Sequence, residues 1–342
     1  MSAEVPVEVT VAIPTYNRRD LLSATIESVL EQQDVSFEVI VLDNASTDGT
    51  PEFVESLHDP RVQVICAPTN TGLIANFNRA LSAGRAPFLT VLHDDDLRRP
   101  GSLALRLELL KSDTSMAVAY SYYGVIDQDG VVTRPIYRSH IVSGSIEGAE
   151  AFLRAALHGQ VRCHMSAALI RRSTLGELRC RDEDGSFTDH GLWMRLACSG
   201  SFGLIPLALA DVRVHSSAGA AMGNFRLDEN GNVVPFATEQ TIRTLEIARR
   251  VLKDPGLAVP HRRRLRARAE IEGFRQIGRS VGDDLAVPGT GVLEPVLRAV
   301  RSHPAAAVNR RLLLAVAVRL RNRIRTNLRR TDDGEVPRNP RT

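Results

Sequence analysis

The chain is poor in the features that mark disulfide-bonded, zinc-binding and membrane-spanning proteins. Its four cysteines are scattered without the close spacing of a metal site, and we interpret them as buried thiols of a reducing compartment. No apolar run approaches the roughly 20 residues of a membrane span. The first residues also lack the basic start and apolar core of a signal peptide. We therefore expect a cytoplasmic protein.

Charge and glycine patterns exclude several other classes. The net charge is only +3, with 43 basic and 40 acidic residues, which gives no case for nucleic-acid binding. No G-x-G-x-x-G follows the first predicted strand and no G-x-x-x-x-G-K-[ST] occurs, so an ordinary dinucleotide fold and a P-loop fold lose their best support. The remaining composition, 43% hydrophobic and 24% charged over 342 residues, suits one large globular domain with an appendage, or two domains.

Strands and helices alternate through the first hundred residues. Apolar runs predict strands at residues 7–13, 37–42, 62–66 and 87–92, and helical spacing predicts helices at residues 19–32, 48–58 and 74–83. This alternation is typical of a parallel sheet with helices on both faces. Ligands of such sheets bind at the carboxyl ends of the strands, where polar loops fall at residues 14–18, 43–48 and 93–96.

The most informative stretch is the end of the fourth strand, where an apolar run stops at three consecutive aspartates. Asp94, Asp95 and Asp96 repel one another unless a cation lies among them, and hard divalent cations take carboxylate oxygens. The alternative is a solvated acidic turn before a helix beginning near Gly101, where negative charge is favourable. We favour a metal site because the acids follow a buried strand.

The second half predicts more strands and a helix with an aspartate at its start. Strands are expected at residues 117–122, 131–133, 165–171 and 202–209, a helix at residues 146–157, and an irregular loop at residues 134–145. Asp189 opens a helix that contains the only tryptophan, and by itself it would be an N-cap. His215 closes a short apolar alternation, and a lone histidine there would be structural.

The C-terminal part predicts a mobile loop at residues 218–234, helices at residues 238–252, 262–279 and 312–330, and a disordered tail. The last helix carries many arginines beside one apolar stripe. It could make peripheral contact with the inner membrane surface. It could instead pack on the rest of the protein with a solvated basic face, which we favour slightly because the stripe is narrow and has no aromatic residue.

Five motifs together resemble those of family 2 glycosyltransferases. They are residues 11–18 (VAIPTYNR), residues 41–50 (VLDNASTDGT), residues 70–72 (NTG), residues 94–96 with Pro100, and residues 189–195 (DHGLWMR). The resemblance covers about residues 7–217. It implies an α/β GT-A fold, the Rossmann-like fold of nucleotide-diphospho-sugar transferases, with a mixed sheet flanked by helices. We therefore expect a catalytic domain at residues 1–217, with a nucleotide-sugar half (1–100) and an acceptor half (101–217). A helical C-terminal extension at residues 218–330 and a disordered tail at 331–342 would follow.

The resemblance also implies which residues bind the nucleotide of a nucleotide-diphosphate sugar. The loop after the first strand would border the base and ribose, with Tyr16 stacked on the base. The acidic loop after the second strand would hydrogen-bond the base, and Asp94 would lie beside the ribose and a metal-bound water. The implied nucleotide-binding residues are Pro14, Thr15, Tyr16, Asn17, Asp43, Asn44, Asn76 and Asp94.

The same resemblance implies a divalent cofactor, Mn²⁺ or Mg²⁺. Asp95 matches the acid that coordinates the metal, Asp96 is a further candidate, and His215 matches a histidine that supplies a third ligand in some relatives. Many members carry an acid where this chain has His93, which leaves open which of the three carboxylates is the second ligand.

Asp189 matches the catalytic base of the family. It would take the proton from the acceptor hydroxyl as that oxygen attacks the anomeric carbon, with inversion, while the metal neutralises the departing diphosphate. Members usually have Glu-Asp where this chain has Thr188-Asp189, so the base is present without its acidic neighbour.

These implications predict an inverting glycosyltransferase of cell-surface polysaccharide, glycolipid or other glycoconjugate biosynthesis, with a sugar, lipid-linked or small-molecule acceptor. A nucleotidyltransferase is the first alternative, but it would need a basic, glycine-rich phosphate loop after the first strand. A non-catalytic sugar-nucleotide binder is the second alternative. Such a binder is expected to lose Asp189 or Asp95, and both are present.

Overall fold

The computed structural model describes residues 6–137, 145–146, 163–214, 225–227, 233–235, 237–259, 262–286, 296 and 299–301. Several predicted features lie outside these residues. They are His215, nearly all of the helix expected at residues 146–157, the basic helix expected at residues 312–330, and the C-terminal tail.

The first half alternates strand and helix, as predicted. Its elements are β1 (Val9–Thr15), α1 (Arg19–Leu30), β2 (Phe37–Asp43), α2 (Thr50–Ser56), β3 (Val62–Cys66), α3 (Leu73–Ser82), β4 (Phe88–Val91), β5 (Leu97–Arg98) and α4 (Ser102–Ser112).

The second half adds longer strands and the helix that begins with Thr188. Its elements are β6 (Met116–Ile126), β7 (Val132–Tyr137), β8 (Ser145–Ile146), a 3-10 turn (Met165–Ala167), β9 (Ala168–Arg171), α5 (Arg172–Leu175), a second 3-10 segment (Asp182–Phe187), α6 (Thr188–Leu196) and β10 (Ser201–Arg213). After it come β11 (Phe225–Leu227), β12 (Val233–Pro235), α7 (Ala237–Lys253) and α8 (Arg262–Ala286).

One mixed sheet organises the molecule, in the order β3-β2-β1-β4-β9-β6-β10-β5. The first four strands are parallel, and β9 then pairs antiparallel with both β4 and β6. The mixed α/β sheet with flanking helices confirms the predicted fold class. Because β1 and β2 are parallel neighbours, they end side by side, with Thr15 opposite Asp43.

Burial on both faces explains the nearly continuous apolar runs of β1, β2 and β4. Every residue of β1 is buried. Its odd-numbered residues Val9, Val11 and Ile13 pack in a cluster with apolar residues of α1 and α4, whereas Ala12 belongs to the cluster on the opposite face, with residues of α3. The sheet therefore holds its carboxyl edge rigidly between two layers of helices.

Several boundaries differ from the predictions. The loop expected at residues 134–145 begins as part of β7, because this strand lies at the side of β6 and tolerates Pro135, which has no donor to give to a ladder. Ile146 pairs with Phe202 of β10 instead of opening a helix. The strand expected from Met165 starts as a 3-10 turn, and the loop expected at residues 218–234 contains the short pair β11–β12.

The C-terminal helices α7 and α8 pack on each other and on the preceding part of the chain. Leu245 and Ala248 of α7 and Ile277 of α8 are fully buried in the same cluster as Trp193 of α6. Arg249 of α7 also pairs with Glu270 of α8 at 2.7 Å. Within the described part of the chain, none of the helices combines the length and the hydrophobicity that a bilayer crossing requires.

Candidate active site

The end of β2 presents a buried acceptor at the carboxyl edge of the sheet. Asp43 is 1% exposed, and its Oδ2 accepts a hydrogen bond from the Ser46 amide at 3.1 Å. Its Oδ1 is buried and has no hydrogen-bond partner among the residues that the structure describes. A buried polar atom without a partner is costly, so this oxygen is suited to accept a donor group from a ligand.

Asn44 is used differently from its neighbour. Its amide nitrogen donates to Asn70 at 2.9 Å, and its oxygen accepts from both the amide and the hydroxyl of Thr71 at 3.0 Å. The side chain therefore fixes the loop at residues 70–72 against the end of β2. The expected contact of Asn44 with a nucleotide base stays a prediction.

Asn76 of α3 also forms hydrogen bonds near the carboxyl end of β2. Its amide nitrogen donates to the Leu42 carbonyl at 3.0 Å, and its oxygen accepts from Arg79 at 2.8 Å. Arg79 in turn donates to the Asp43 carbonyl at 3.0 Å. Arg79 was missed from the sequence, although its position three residues after Asn76 on the same helix face was a usable signal.

The loop after β1 is held to the loop after β2. Asn17 has a left-handed backbone (φ 52°), which asparagine tolerates better than most residues. Its side-chain oxygen accepts from the Thr47 amide at 2.8 Å, and its own amide donates to Ser46 at 2.9 Å. Tyr16 beside it is 44% exposed, whereas Pro14 and Thr15 are buried in β1. The tyrosine ring is therefore open to a ligand that lies over this loop.

The acidic turn after β4 is buried and contains a charged contact that the sequence analysis did not find. Asp94 and Asp95 are each 7% exposed. Arg18 Nη1 lies 2.7 Å from Asp95 Oδ2 and 3.3 Å from Asp94 Oδ1. Burial raises the pKa of Asp94, and the charge of Arg18 opposes this rise. One cationic nitrogen thus bridges the two carboxylates.

Asp96 has other neighbours. It is 1% exposed, with Oδ2 accepting from the Ser166 hydroxyl at 2.5 Å and Oδ1 accepting from the Arg213 amide at 2.8 Å. Burial raises the pKa of its carboxyl group. These bonds tie the acidic turn to the start of β9 and the end of β10, so Asp96 has a structural task whatever else it binds.

Two histidines complete a cluster around Asp96. The Nδ1 atoms of His93 and His164 each lie 3.7 Å from Asp96 Oδ2. The three side chains offer ligand atoms within 4.8 Å of one another, a spacing that could hold a metal ion. The side chain of His164 is 23% exposed. Burial of the rest lowers the pKa of His164 to about 3. The low pKa keeps the ring in the neutral form that metals require.

The predicted metal ligands are therefore divided between neighbouring contacts. Asp95 faces Arg18 together with Asp94, whereas Asp96 lies with His93 and His164. The Arg18 nitrogen occupies a position where a cation contacts two carboxylates, and oxygen ligands of this kind fit Mg²⁺ or Mn²⁺. The third predicted ligand, His215, lies outside the described residues.

Asp189 lies in the first turn of α6 and is partly buried. Its Oδ1 accepts from the amide of His190 at 2.8 Å. Burial is the largest cause of the raised pKa of Cys163, and the charge of Asp189 is the second. Asp95 and His190 both influence the pKa of the adjacent His164. Both the predicted base and the acidic turn thus act electrostatically on residues 163–164.

A buried ion pair positions α6. Arg195 Nη2 lies 2.8 Å from Asp184 Oδ2, and both side chains are almost fully buried. Gly191 is required beside them, because a Cβ atom at this position would lie 2.0 Å from Asp184 Oδ2. Trp193 packs edge-on against Phe202 of β10, with ring centroids 6.3 Å apart. These contacts fix the helix that carries Asp189.

The family model described as "Glycosyl transferase family 2" matches residues 10–179. This stretch contains the loops of Asp43 and Tyr16, the acidic turn and His164, and it ends ten residues before Asp189. Its match accords with the resemblance that the motifs indicated.

A curated relative points the same way. The succinoglycan biosynthesis protein ExoO of Rhizobium meliloti is 36% identical over 124 residues, which cover 36% of this chain and 35% of ExoO. The chain thus spans about a third of the length of that relative.

Two solved structures share the fold. S. aureus TarS 1–349 in complex with UDP-GlcNAc superposes with a TM-score of 0.60 at 17% identity, over 89% of this chain and 90% of that one. The mannosyltransferase PcManGT from Pyrobaculum calidifontis, in complex with GDP-Man and Mn²⁺, gives 0.54 at 17% identity, over 92% and 87%. The fold is accordingly GT-A.

Proposed function

The chain belongs to glycosyl transferase family 2, and on that premise we propose that it transfers a sugar from a nucleotide-diphosphate sugar to an acceptor hydroxyl. The product is part of a cell-surface polysaccharide or another glycoconjugate, in line with the succinoglycan relative. The observation that carries the proposal lies at the carboxyl edge of the sheet. There the Asp43 oxygen that has no partner among the described residues follows β2, and the buried acidic turn follows β4, with β1 between the two strands.

Asp43 and Tyr16 bind the nucleotide. The buried Asp43 Oδ1 accepts a donor group of the base, and the exposed ring of Tyr16 offers a stacking surface beside it. Asn44, Asn76 and Arg79 hold the ends of β2 and β3 in place, so this part of the site is formed before the donor arrives.

Asp94 and Asp95 would hold a divalent cation, and the cluster of His93, Asp96 and His164 offers further ligand atoms. Such a cation would supply positive charge to stabilise the leaving diphosphate. The proposal agrees with the GT-A neighbour whose complex contains Mn²⁺.

Asp189 acts as general base on the acceptor side. Its carboxylate removes the proton of the acceptor hydroxyl while that oxygen attacks the anomeric carbon, and a single displacement inverts the configuration. His190 follows the base directly, and the backbone of His190 holds Asp189 Oδ1 at 2.8 Å. This bond orients one carboxylate oxygen and leaves the other to face the acceptor.

The nucleotidyltransferase and the non-catalytic binder remain the rival functions. Neither is favoured by a particular contact in the described residues. The loop at Tyr16 and Asn17 is held by side chains and has no glycine-rich phosphate cradle, and both Asp95 and Asp189 are present.

A thermal-shift panel with UDP, dTDP, GDP and CMP tests the proposal, each with Mn²⁺, Mg²⁺ or EDTA. A ligand that binds only the folded state raises the melting temperature by mass action. We expect one diphosphate to raise it, with the shift lost in EDTA. The responding nucleotide then selects the donor sugars for a transfer assay. The absence of any shift across the panel would contradict the proposed donor site.

A further inference from the structure

We propose that Arg18 and the catalytic metal compete for Asp94 and Asp95, and that the diphosphate of the donor relieves this competition by taking the Arg18 guanidinium. The inference rests on the proposed function. It makes Arg18 a residue that couples metal binding to donor binding, so each ligand increases the affinity of the protein for the other.

The competition follows from the contacts of one nitrogen atom. Arg18 Nη1 touches both carboxylates, at 2.7 Å and 3.3 Å. A divalent cation needs carboxylate oxygens at about 2.0–2.6 Å, so it cannot share this position with the guanidinium. A metal that binds Asp94 Oδ1 and Asp95 Oδ2 therefore displaces the Arg18 side chain.

Arg18 is the partner that can move. Its side chain is 33% exposed, whereas those of Asp94 and Asp95 are 10% and 9% exposed and lie within a turn anchored through Asp96. Arg18 follows the loop of Tyr16 and Asn17 directly, at the position before α1. Its guanidinium thus contacts the acidic turn from a residue that adjoins the loop proposed to border the nucleotide.

The local charges explain why the diphosphate is needed. Arg18 contacts two carboxylates of the acidic turn, and the Arg213 guanidinium donates to the Asp95 carbonyl at 2.9 Å, so two cationic groups already lie against this turn. A divalent cation adds two positive charges, and a diphosphate supplies two negative ones and a bidentate partner for Arg18.

Arginine suits this exchange better than lysine. The planar guanidinium matches the geometry of both carboxylate and phosphate oxygens, whereas an ammonium group is a compact point charge. The coupling is reciprocal. If the diphosphate increases the affinity for the metal through Arg18, the metal increases the affinity for the diphosphate by the same factor.

Calorimetric titration of the full chain tests the proposal without any turnover. Mn²⁺ is titrated alone and in the presence of saturating UDP, GDP or dTDP, and each nucleotide is titrated with and without Mn²⁺. The variants are Arg18→Gln and Arg18→Lys. Arg19→Gln is the matched control, since the neighbouring Arg19 guanidinium lies over Phe53, 5.7 Å from the ring centroid and away from the acidic turn.

We expect Arg18→Gln to bind Mn²⁺ alone about tenfold more tightly than the natural protein. The factor by which a nucleotide increases the affinity for Mn²⁺ should be about tenfold smaller in this variant. A change of about tenfold lies within the usual range of coupling between sites. Arg18→Lys should fall between the two, and Arg19→Gln should match the natural protein.

Two results would overturn the inference while leaving the proposed function intact. In the first, the natural protein binds Mn²⁺ and a nucleotide, but Arg18→Gln shows the same affinities and the same enhancement. In the second, Arg18→Gln binds Mn²⁺ alone more weakly. If the natural protein binds none of the three nucleotides with Mn²⁺, the proposed function fails and the inference fails with it.

Discussion

Arg250 of α7 lies 3.1 Å from the carboxylate of Asp184, which also pairs with Arg195 of α6. A residue of the C-terminal extension thus shares one buried aspartate with the helix that carries Asp189. Residues of α7 therefore help to support the helix that carries Asp189, although the family match ends at residue 179.

The first prediction concerns this shared aspartate. Arg195→Met should cost about 3 kcal/mol of unfolding free energy, because it leaves a buried carboxylate with a weaker partner. Arg250→Met should cost about 1 kcal/mol, since Arg250 is 35% exposed and solvent screens its pair. Urea denaturation measures both values.

Arg243→Met is the matched control on the same helix. Its guanidinium is 48% exposed and pairs with Glu246 at 3.5 Å, so a change within about 0.5 kcal/mol is expected. An equal loss for all three variants would show that Asp184 has no special role.

Periodicity in the sequence was enough to find the parallel half of the fold. The strands Val9–Thr15 and Phe37–Asp43 follow from local patterns alone, because they are buried and their apolar runs are nearly continuous. The β7 strand was predicted too short because Arg134 and Pro135 interrupt the apolar pattern, and a strand with only one partner tolerates both.

Contacts between distant parts of the chain were not accessible in this way. Arg18 and Asp94 are 76 positions apart, and nothing in the local pattern of either indicates the pair. Asn44 and Asn76 show the reverse case. The resemblance marked them as nucleotide contacts, whereas the structure has their side chains bonded within the strand ends. A motif thus identifies residues that matter without separating ligand contacts from loop supports.

The second prediction separates chemistry from binding. Asp189→Asn should fold and bind nucleotide with Mn²⁺ as the natural protein does, because the amide keeps the shape of the side chain and Asp189 lies on α6, outside the loops after β1 and β2. Its sugar transfer should fall at least 100-fold, the usual contribution of a general base. Transfer assays with the donor class found by thermal shift measure the loss, and near-normal turnover would rule out Asp189 as the base.

The third prediction distinguishes the two neighbouring aspartates. Asp95→Asn should weaken Mn²⁺-dependent nucleotide binding, because it removes one of the two carboxylate charges that Arg18 bridges. Asp96→Asn should lower the melting temperature, since the buried carboxylate accepts from Ser166 and Arg213. Melting curves in EDTA and Mn²⁺ titrations give both quantities. The prediction fails if Asp95→Asn binds the nucleotide tightly and still responds to EDTA.

The last prediction uses a cysteine as a probe of the nucleotide site. Cys66 is exposed and lies opposite Asp43 at the ends of β3 and β2, whereas Cys163 and Cys180 are buried. Burial and the charge of Asp43 raise the pKa of Cys66. Burial raises the pKa of Cys180 and of Cys198 to about 11. Burial also raises the pKa of Cys163 well above its usual value. Because only the thiolate reacts, iodoacetamide should label Cys66 first, and faster as the pH rises above 8.

A nucleotide held by Asp43 should slow this labelling several-fold in the presence of Mn²⁺, as read by mass spectrometry of the modified peptide. Cys66→Ser is the control and should remove the fast phase. If a nucleotide raises the melting temperature yet leaves the labelling rate of Cys66 unchanged, the base lies away from the ends of β2 and β3, and Asp43 is not its acceptor.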